Sequence, residues 1–229
     1  MTALNISVSK LCSFDDYLHG RWNQDDDSKL KSYIMGTSVK TYEQGAGDAV
    51  HAYIEAPDRY PCTDLTTGQV NVNGHMLAPA VVETCFDYWM NLPCPFLFEQ
   101  WLPAMRVVVK GYEVFVRARI DVLTPEAIRD IKTSTYAYDH DKYADSFQWR
   151  FYLWMASHLD MDTFIYDHFQ WKSKETELKY SSVQLYRYPT MEQDCQRILA
   201  EFIDYLESQE LIGYCVASEK SLYYQAQSR

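Results

Sequence analysis

"VFVRARIDVLTPEAIRDIKTS", residues 114–134, decides the fold. Apolar and polar side chains alternate from Val114 to Val122, the period of a half-buried β-strand. Thr124 to Ala127, with Pro125, reads as a turn, and Ile128 to Lys132 as a second, short strand. Just upstream, "MRVVVKGYEVFVRARIDVL" (105–123) holds two β-rich runs joined by Lys110-Gly111, whose glycine can take the positive φ of a tight hairpin turn. A three-strand meander is therefore expected over about residues 97–132.

Side chains alternate across a strand, so Val114, Val116, Ala118, Ile120 and Val122 share one face, the core face. Phe115, Arg117, Arg119 and Asp121 share the other. On the next strand Asp130 and Lys132 point one way, and Ile131 points the opposite way into the apolar layer. Pairing across the Pro125 turn would bring Asp121, Asp130 and Lys132 together. Two carboxylates at one spot repel, so either one takes a proton or both share a cation. Oxygen ligands of this kind favour Mg²⁺ or Mn²⁺. A lysine beside such a cation can orient or deprotonate a water, or steady a developing negative charge. With flanking arginines, this is a device suited to attack on a phosphodiester. The same residues also read as an ordinary surface salt-bridge cluster, which is common and usually inert. Glu99, ahead of the hairpin, reads as a strand-edge charge or as an extra ligand.

The 229 residues suffice to bury a proper core, and one domain spanning 1–229 is expected. From Gly36 to Glu55 apolar residues recur every three or four positions, an amphipathic helix in which Gly45 and Gly47 stand out. Each glycine costs about 1 kcal/mol in a helix interior. Either the helix begins near Gly47 or something approaches its backbone there. Further helices are expected over 76–92, 139–159 and 190–208, with strands at "TFIYDHFQW" (163–171) and "YSSVQLYRY" (180–188). The first 35 residues read as short helices, with Asp25 to Asp27 in a solvated loop. The order predicts an α/β sandwich around a mixed sheet.

With 21 basic and 32 acidic residues the net charge is −11, which argues against a polyanionic partner, because nucleic-acid affinity is built largely from Lys and Arg on phosphates. That objection weakens where the acids lie far from the site or hold cations. It also keeps open a protein-binding inhibitor whose acidity mimics DNA. Six scattered cysteines with no C-x-x-C pair suggest neither a zinc knuckle nor a disulfide framework, but reduced thiols in a cytoplasm. No secretory leader and no run approaching ~18 apolar residues is found, so a soluble, cytoplasmic protein without membrane contact is expected.

Asp121 followed by Asp130-Ile131-Lys132-Thr133-Ser134 resembles the PD-(D/E)xK nuclease signature in its RecB-like form, where an acid ends one strand and D-x-K-T ends the next. "GDAVH" (47–51) resembles the upstream G-x-x-x-H element of that family. "QWRFY" (148–152) resembles its Q-x-x-x-Y element, whose spacing puts Gln148 and Tyr152 on one helix face. "SVSKLCSFDDYL" (7–18) faintly resembles its opening helix. The likeness runs from about residue 7 to 205. One departure is Ile120 where proline often precedes the first acid.

The resemblance implies a restriction-endonuclease-like core, a mixed central β-sheet flanked by helices, with its core motifs in 47–152. It implies that His51, Asp121, Asp130 and the backbone carbonyl of Ile131 bind one or two Mg²⁺ or Mn²⁺ ions, and that Lys132 positions the attacking water, leaving a 5′-phosphate. Gln148 and Tyr152 would contact the nucleic acid, and Arg117, Arg119, Lys142 and Arg150 its phosphates. Taken singly, His51 reads equally as a core or surface histidine, and Gln148 and Tyr152 as ordinary helix residues. Some RecB-like members carry a four-cysteine iron–sulfur cluster. Here Cys12 matches the first ligand, but Cys195 and Cys215 lack a third neighbour, so no cluster is expected. The implied protein is a DNA exonuclease of phage or bacterial recombination or repair, acting on linear duplex or single-stranded ends. It would be a homo-oligomer, with a single-strand annealing or recombination protein as partner. An endonuclease of the same fold, or a catalytically inactive module that binds DNA ends or protein, remain as alternatives.

Overall fold

The computed structural model describes residues 1–21, 26–64, 66–172 and 176–218, excepting the side chains of Asp26, Thr63 and Asp64. The chain opens with β1 (Ala3–Ser7), α1 (Val8–Leu18), α2 (Asp26–Met35) and α3 (Tyr42–Glu55). Three short strands follow, β2 (Cys62–Asp64), β3 (Gln69–Val72) and β4 (His75–Leu77), then α4 (Pro79–Met90). The β-rich middle comprises β5 (Leu97–Trp101), β6 (Met105–Val109), β7 (Tyr112–Arg117), β8 (Arg119–Leu123) and β9 (Ile128–Ser134). After α5 (His140–Asp145) and α6 (Phe147–Met155) come β10 (Thr163–Lys172), β11 (Glu177–Tyr186) and α7 (Met191–Ser208). The protein is a mixed α/β fold.

The expected hairpin forms. Val109 pairs with Tyr112, and both Lys110 and Gly111 take left-handed backbone, φ 52° and 79°, the turn whose twist matches that of the flanking strands. The expected three-strand meander does not. The extended run 112–123 is shared between two sheets. β7 lies between β1, to which it is parallel, and β6, whereas β8 belongs to a five-stranded sheet in the order β11-β10-β9-β8-β5. The chain crosses over at Ala118, which separates the two strands. β2, β3 and β4 form a small third sheet. β1 and this third sheet, whose last strand takes Met76 and Leu77 out of the helix expected over 76–92, were not expected; strands of three to five residues are too short to show a period.

The central sheet is packed on both sides. One core cluster joins Leu4, Leu11, Phe14 and Ile120 to Phe164, Phe202 and Leu206. The other joins Val50, Ile54, Val81 and Cys85 to Val122, Ile131 and Phe169. Val122 was expected beside Ile120, and it is buried, but in the opposite cluster. The strand changes face between them, at Asp121. Glu99 on β5, which the register of Phe98 with Val122 and Gln100 with Ile120 sets opposite Asp121, leaves the ladder with φ 53°. Such local irregularities bend and twist a strand, and they cluster beside functional sites.

The helix expected over 139–159 is divided at Ser146, which ends α5 and caps α6 by accepting from the Gln148 N–H. Asp27, expected in a solvated loop, sits in the first turn of α2, accepts from the Tyr205 hydroxyl (2.8 Å) and pairs with Lys31. Asp25 lies outside the described residues. No described helix is long and apolar enough to cross a membrane.

α3 starts at Tyr42 behind a capping box made by Thr41 and Gln44, so both glycines are helical and close approach is their reason. A Cβ at Gly45 would lie 2.6 Å from His75 Nε2, and one at Gly47 would lie 2.4 Å from Thr133 Oγ1 on β9. Gly47 is what lets α3 press His51 toward the end of β9. Gly47→Ala should therefore lower unfolding free energy by about 1–3 kcal/mol through overpacking. In a Thr133→Ala background the same change should turn into a gain of up to about 1 kcal/mol from helix propensity. Urea melts of the double-mutant cycle measure this, and equal effects in both backgrounds would refute the contact.

Candidate active site

Asp121, Asp130 and Lys132 converge. The β8–β9 ladder runs only through Leu123 with Ile128 and Val122 with Arg129. The next pair in that register would be Asp121 with Asp130, and there the strands part. Asp121 bridges the gap with its side chain, Oδ2 accepting the Ile131 N–H at 2.9 Å. Asp130 is buried, 2% exposed. Its Oδ1 accepts from Gln148 Nε2 at 2.6 Å, and its Oδ2 contacts Lys132 Nζ. Lys132 is held over the Tyr166 ring, 5.8 Å from its centroid. From α3, His51 Nδ1 reaches to 3.6 Å from Asp121 Oδ2.

These groups face a cleft of about 650 Å³, also lined by Lys40, Asp48, Glu55, Glu99, Trp101, Arg117 and Arg119. Four cations and five acids thus line it, so the −11 net charge is not concentrated here. Arg119 pairs with Glu99 (2.5 Å), and Arg117 and Arg119 lie 5.1 and 5.9 Å from the Trp101 ring centroid.

Burial sets the titration. It pushes Asp130 up to about 6, with Asp121 adding to the rise and Lys132 opposing it. Asp121 is raised for the same first reason. Burial alone would lower Lys132, but the charges of Asp130 and Asp121 outweigh it and leave the ammonium firmly protonated. His51 is lowered to about 4 by burial, with Lys132 reinforcing the shift, so its imidazole is neutral at pH 7. The unfolded chain takes up that proton near 6.5 and the folded chain only near 4. The contribution of His51 to stability is therefore present above pH 6.5 and lost as pH falls toward 4. Relative to His51→Gln, wild-type protein should lose on the order of 1–3 kcal/mol between pH 7 and 4. Chemical denaturation at the two pH values measures this, and parallel pH profiles would contradict it.

The remaining expected contacts divide. Arg117 and Arg119 reach the cleft. Gln148 and Tyr152 line it too, but their polar groups are turned inward. Gln148 holds Asp130, and the Tyr152 hydroxyl donates to the Arg119 carbonyl at 2.9 Å. Arg150 is not brought to the cleft; its guanidinium donates to the carbonyls of Ala144, Asp145 and Ser146 and stacks over Phe147 and Trp149, clamping the α5–α6 junction. Lys142 stands apart on α5, near His168, whose imidazole burial and then this lysine hold neutral. Trp101, one of many aromatics, had no functional signal in the sequence. Glu99, read either as a strand-edge charge or as an extra ligand, lines the cleft, and nothing in its neighbours foretells its left-handed backbone.

Among the described residues, no three His, Cys, Asp or Glu side chains are gathered closely enough to hold a metal ion. The groups that do meet are two carboxylates that burial disfavours as anions, beside an imidazole kept neutral. No family model and no curated protein matches the chain. A solved structure described as "Crystal structure of SSO0001" is similar, with 12% identity, a TM-score of 0.49, and coverage of 88% of this chain and 76% of that chain.

Proposed function

We propose that the protein is a divalent-metal-dependent deoxyribonuclease of the PD-(D/E)xK group, RecB-like in its motifs, with a restriction-endonuclease-like core and an exonucleolytic action on DNA ends. The observation that carries this reading is the meeting of Asp121, Asp130 and Lys132 where β8 and β9 part, at the wall of a cleft. A surface salt-bridge cluster would be solvated, whereas Asp130 is 2% exposed and carries a raised pKa, a combination characteristic of functional sites.

In this reading Asp121, Asp130, His51 and the Ile131 carbonyl hold Mg²⁺ or Mn²⁺. When bound, the ion supplies positive charge at the phosphate and makes water more acidic. Gln148 fixes the carboxylate of Asp130, and Tyr152 fixes the strand carrying Arg119. Lys132, protonated and half-buried, steadies negative charge as it develops on the phosphate. Arg117, Arg119 and Lys40 offer phosphate contacts along the cleft.

The test is cleavage of 5′- and 3′-labelled linear duplex and of covalently closed circles, with and without Mg²⁺ or Mn²⁺, by wild type and Asp130→Ala. Metal-dependent loss of ends by wild type alone supports the proposal. Nicking of circles would redirect it to an endonuclease. No product over a full protein titration would overturn it in favour of a binding module.

A further inference from the structure

We propose that Trp101 is a stacking platform for an unpaired base, so that the cleft takes a single-stranded or frayed end in preference to intact duplex; this rests on the nuclease reading above. Trp101 ends β5 and remains 62% exposed, although it lines the same cleft as Asp121, Asp130 and Lys132. Isolated exposed apolar residues are ordinary on a protein surface. This one is set among charges. The guanidiniums of Arg117 and Arg119 lie 5.1 and 5.9 Å from its ring centroid, within cation–π range, and Glu99 pairs with Arg119. The indole is thus held by its neighbours while much of its surface stays open to the cleft.

Its place is also defined relative to the reacting groups. Trp101 pairs with Arg119 in the β5–β8 ladder, and Arg119 is two residues from Asp121, roughly 7 Å along the strand. Aromatic rings hold single strands by stacking, because every base offers a face, and here the ring has two arginines beside it within a cleft of mixed charge. A base inside a duplex is already stacked on both neighbours and has no face to give, unless it is first extruded at an energetic cost. An indole open to the cleft therefore favours a nucleotide that is already unpaired, with Arg117 available to the adjoining phosphate.

The experiment is fluorescence anisotropy in EDTA, which prevents cleavage, using labelled oligothymidine and a labelled blunt hairpin duplex. Trp101→Ala should weaken oligothymidine binding about 5- to 150-fold. Trp101→Phe should retain most of the affinity. Binding of the duplex, and the slope of oligothymidine affinity against salt, should not change, since no phosphate contact is removed. Unchanged thermal unfolding of both variants identifies the loss as one of contact. Oligothymidine affinity in Trp101→Ala equal to wild type overturns the proposal, and does so with the nuclease reading intact if wild type still cleaves. Wild type that neither binds nor cleaves would remove both.

Discussion

Asp130→Ala should reduce metal-dependent degradation of end-labelled linear DNA by about 10³-fold or more, the scale on which enzymes lose a group that acts in the transition state. Asp130 contacts Lys132 through one oxygen and Gln148 through the other. On the proposed nuclease reading, its removal deprives the site of an anionic metal ligand and frees the ammonium proposed to face the phosphate. Lys132→Ala should fall within the same range, and the double variant should lose little beyond either single one, because the two act as a unit. The fold should survive. Asp130 is raised to about 6 by burial, so at neutral pH its charge is a burden on stability rather than a support. Equal degradation by wild type and Asp130→Ala would remove this carboxylate from the mechanism.

The largest effect on stability is expected at Asp167→Ala, a loss of about 3–5 kcal/mol. Asp167 on β10 is fully buried and accepts four hydrogen bonds. Two come from Arg129, through Nε at 2.8 Å and Nη2 at 2.9 Å, and one each from the hydroxyls of Tyr88 and Tyr180, both at 2.7 Å. Truncation leaves the Arg129 guanidinium and the buried Tyr88 hydroxyl without their acceptor inside the protein, where each unmet group carries its full desolvation cost, whereas the more exposed Tyr180 can turn to solvent. Against a typical total of about 5–15 kcal/mol, this loss brings the protein close to unfolding at physiological temperature. Asp167→Asn should lose less, because it keeps the shape and one acceptor. The damage should reach the proposed active site, since Arg129 precedes Asp130 on β9 and Asp167 pairs with Ile131 across the parallel ladder. A loss under about 1 kcal/mol in urea denaturation would show the cluster to be inessential.

This cluster also marks the limit of what was legible. An aspartate in "TFIYDHFQW" and an arginine in "AIRDIK" are each conspicuous in an apolar run. Nothing local pairs them. Their contact crosses 38 positions, and it depends on the parallel register of β9 with β10, which the intervening α5 and α6 determine.

Local chemistry written in the sequence determined the Lys110-Gly111 turn, the closing helix α7, and the meeting of Asp121, Asp130 and Lys132 across a short turn, whereas the start of α3 at Tyr42, behind its capping box, was missed. Each feature so determined depends on residues within about twenty positions of one another, where strand alternation and helix period hold without outside help. Tertiary structure alone decided that the run 112–123 would divide between two sheets at Ala118, that Ile120 and Val122 would enter opposite cores, and that Glu99 would turn left-handed across from Asp121. It also turned Gln148 and Tyr152 inward and left Trp101 open to the cleft. The reason is physical: the face a side chain occupies depends on which strand pairs with which, and pairing is settled by packing between segments far apart in the chain.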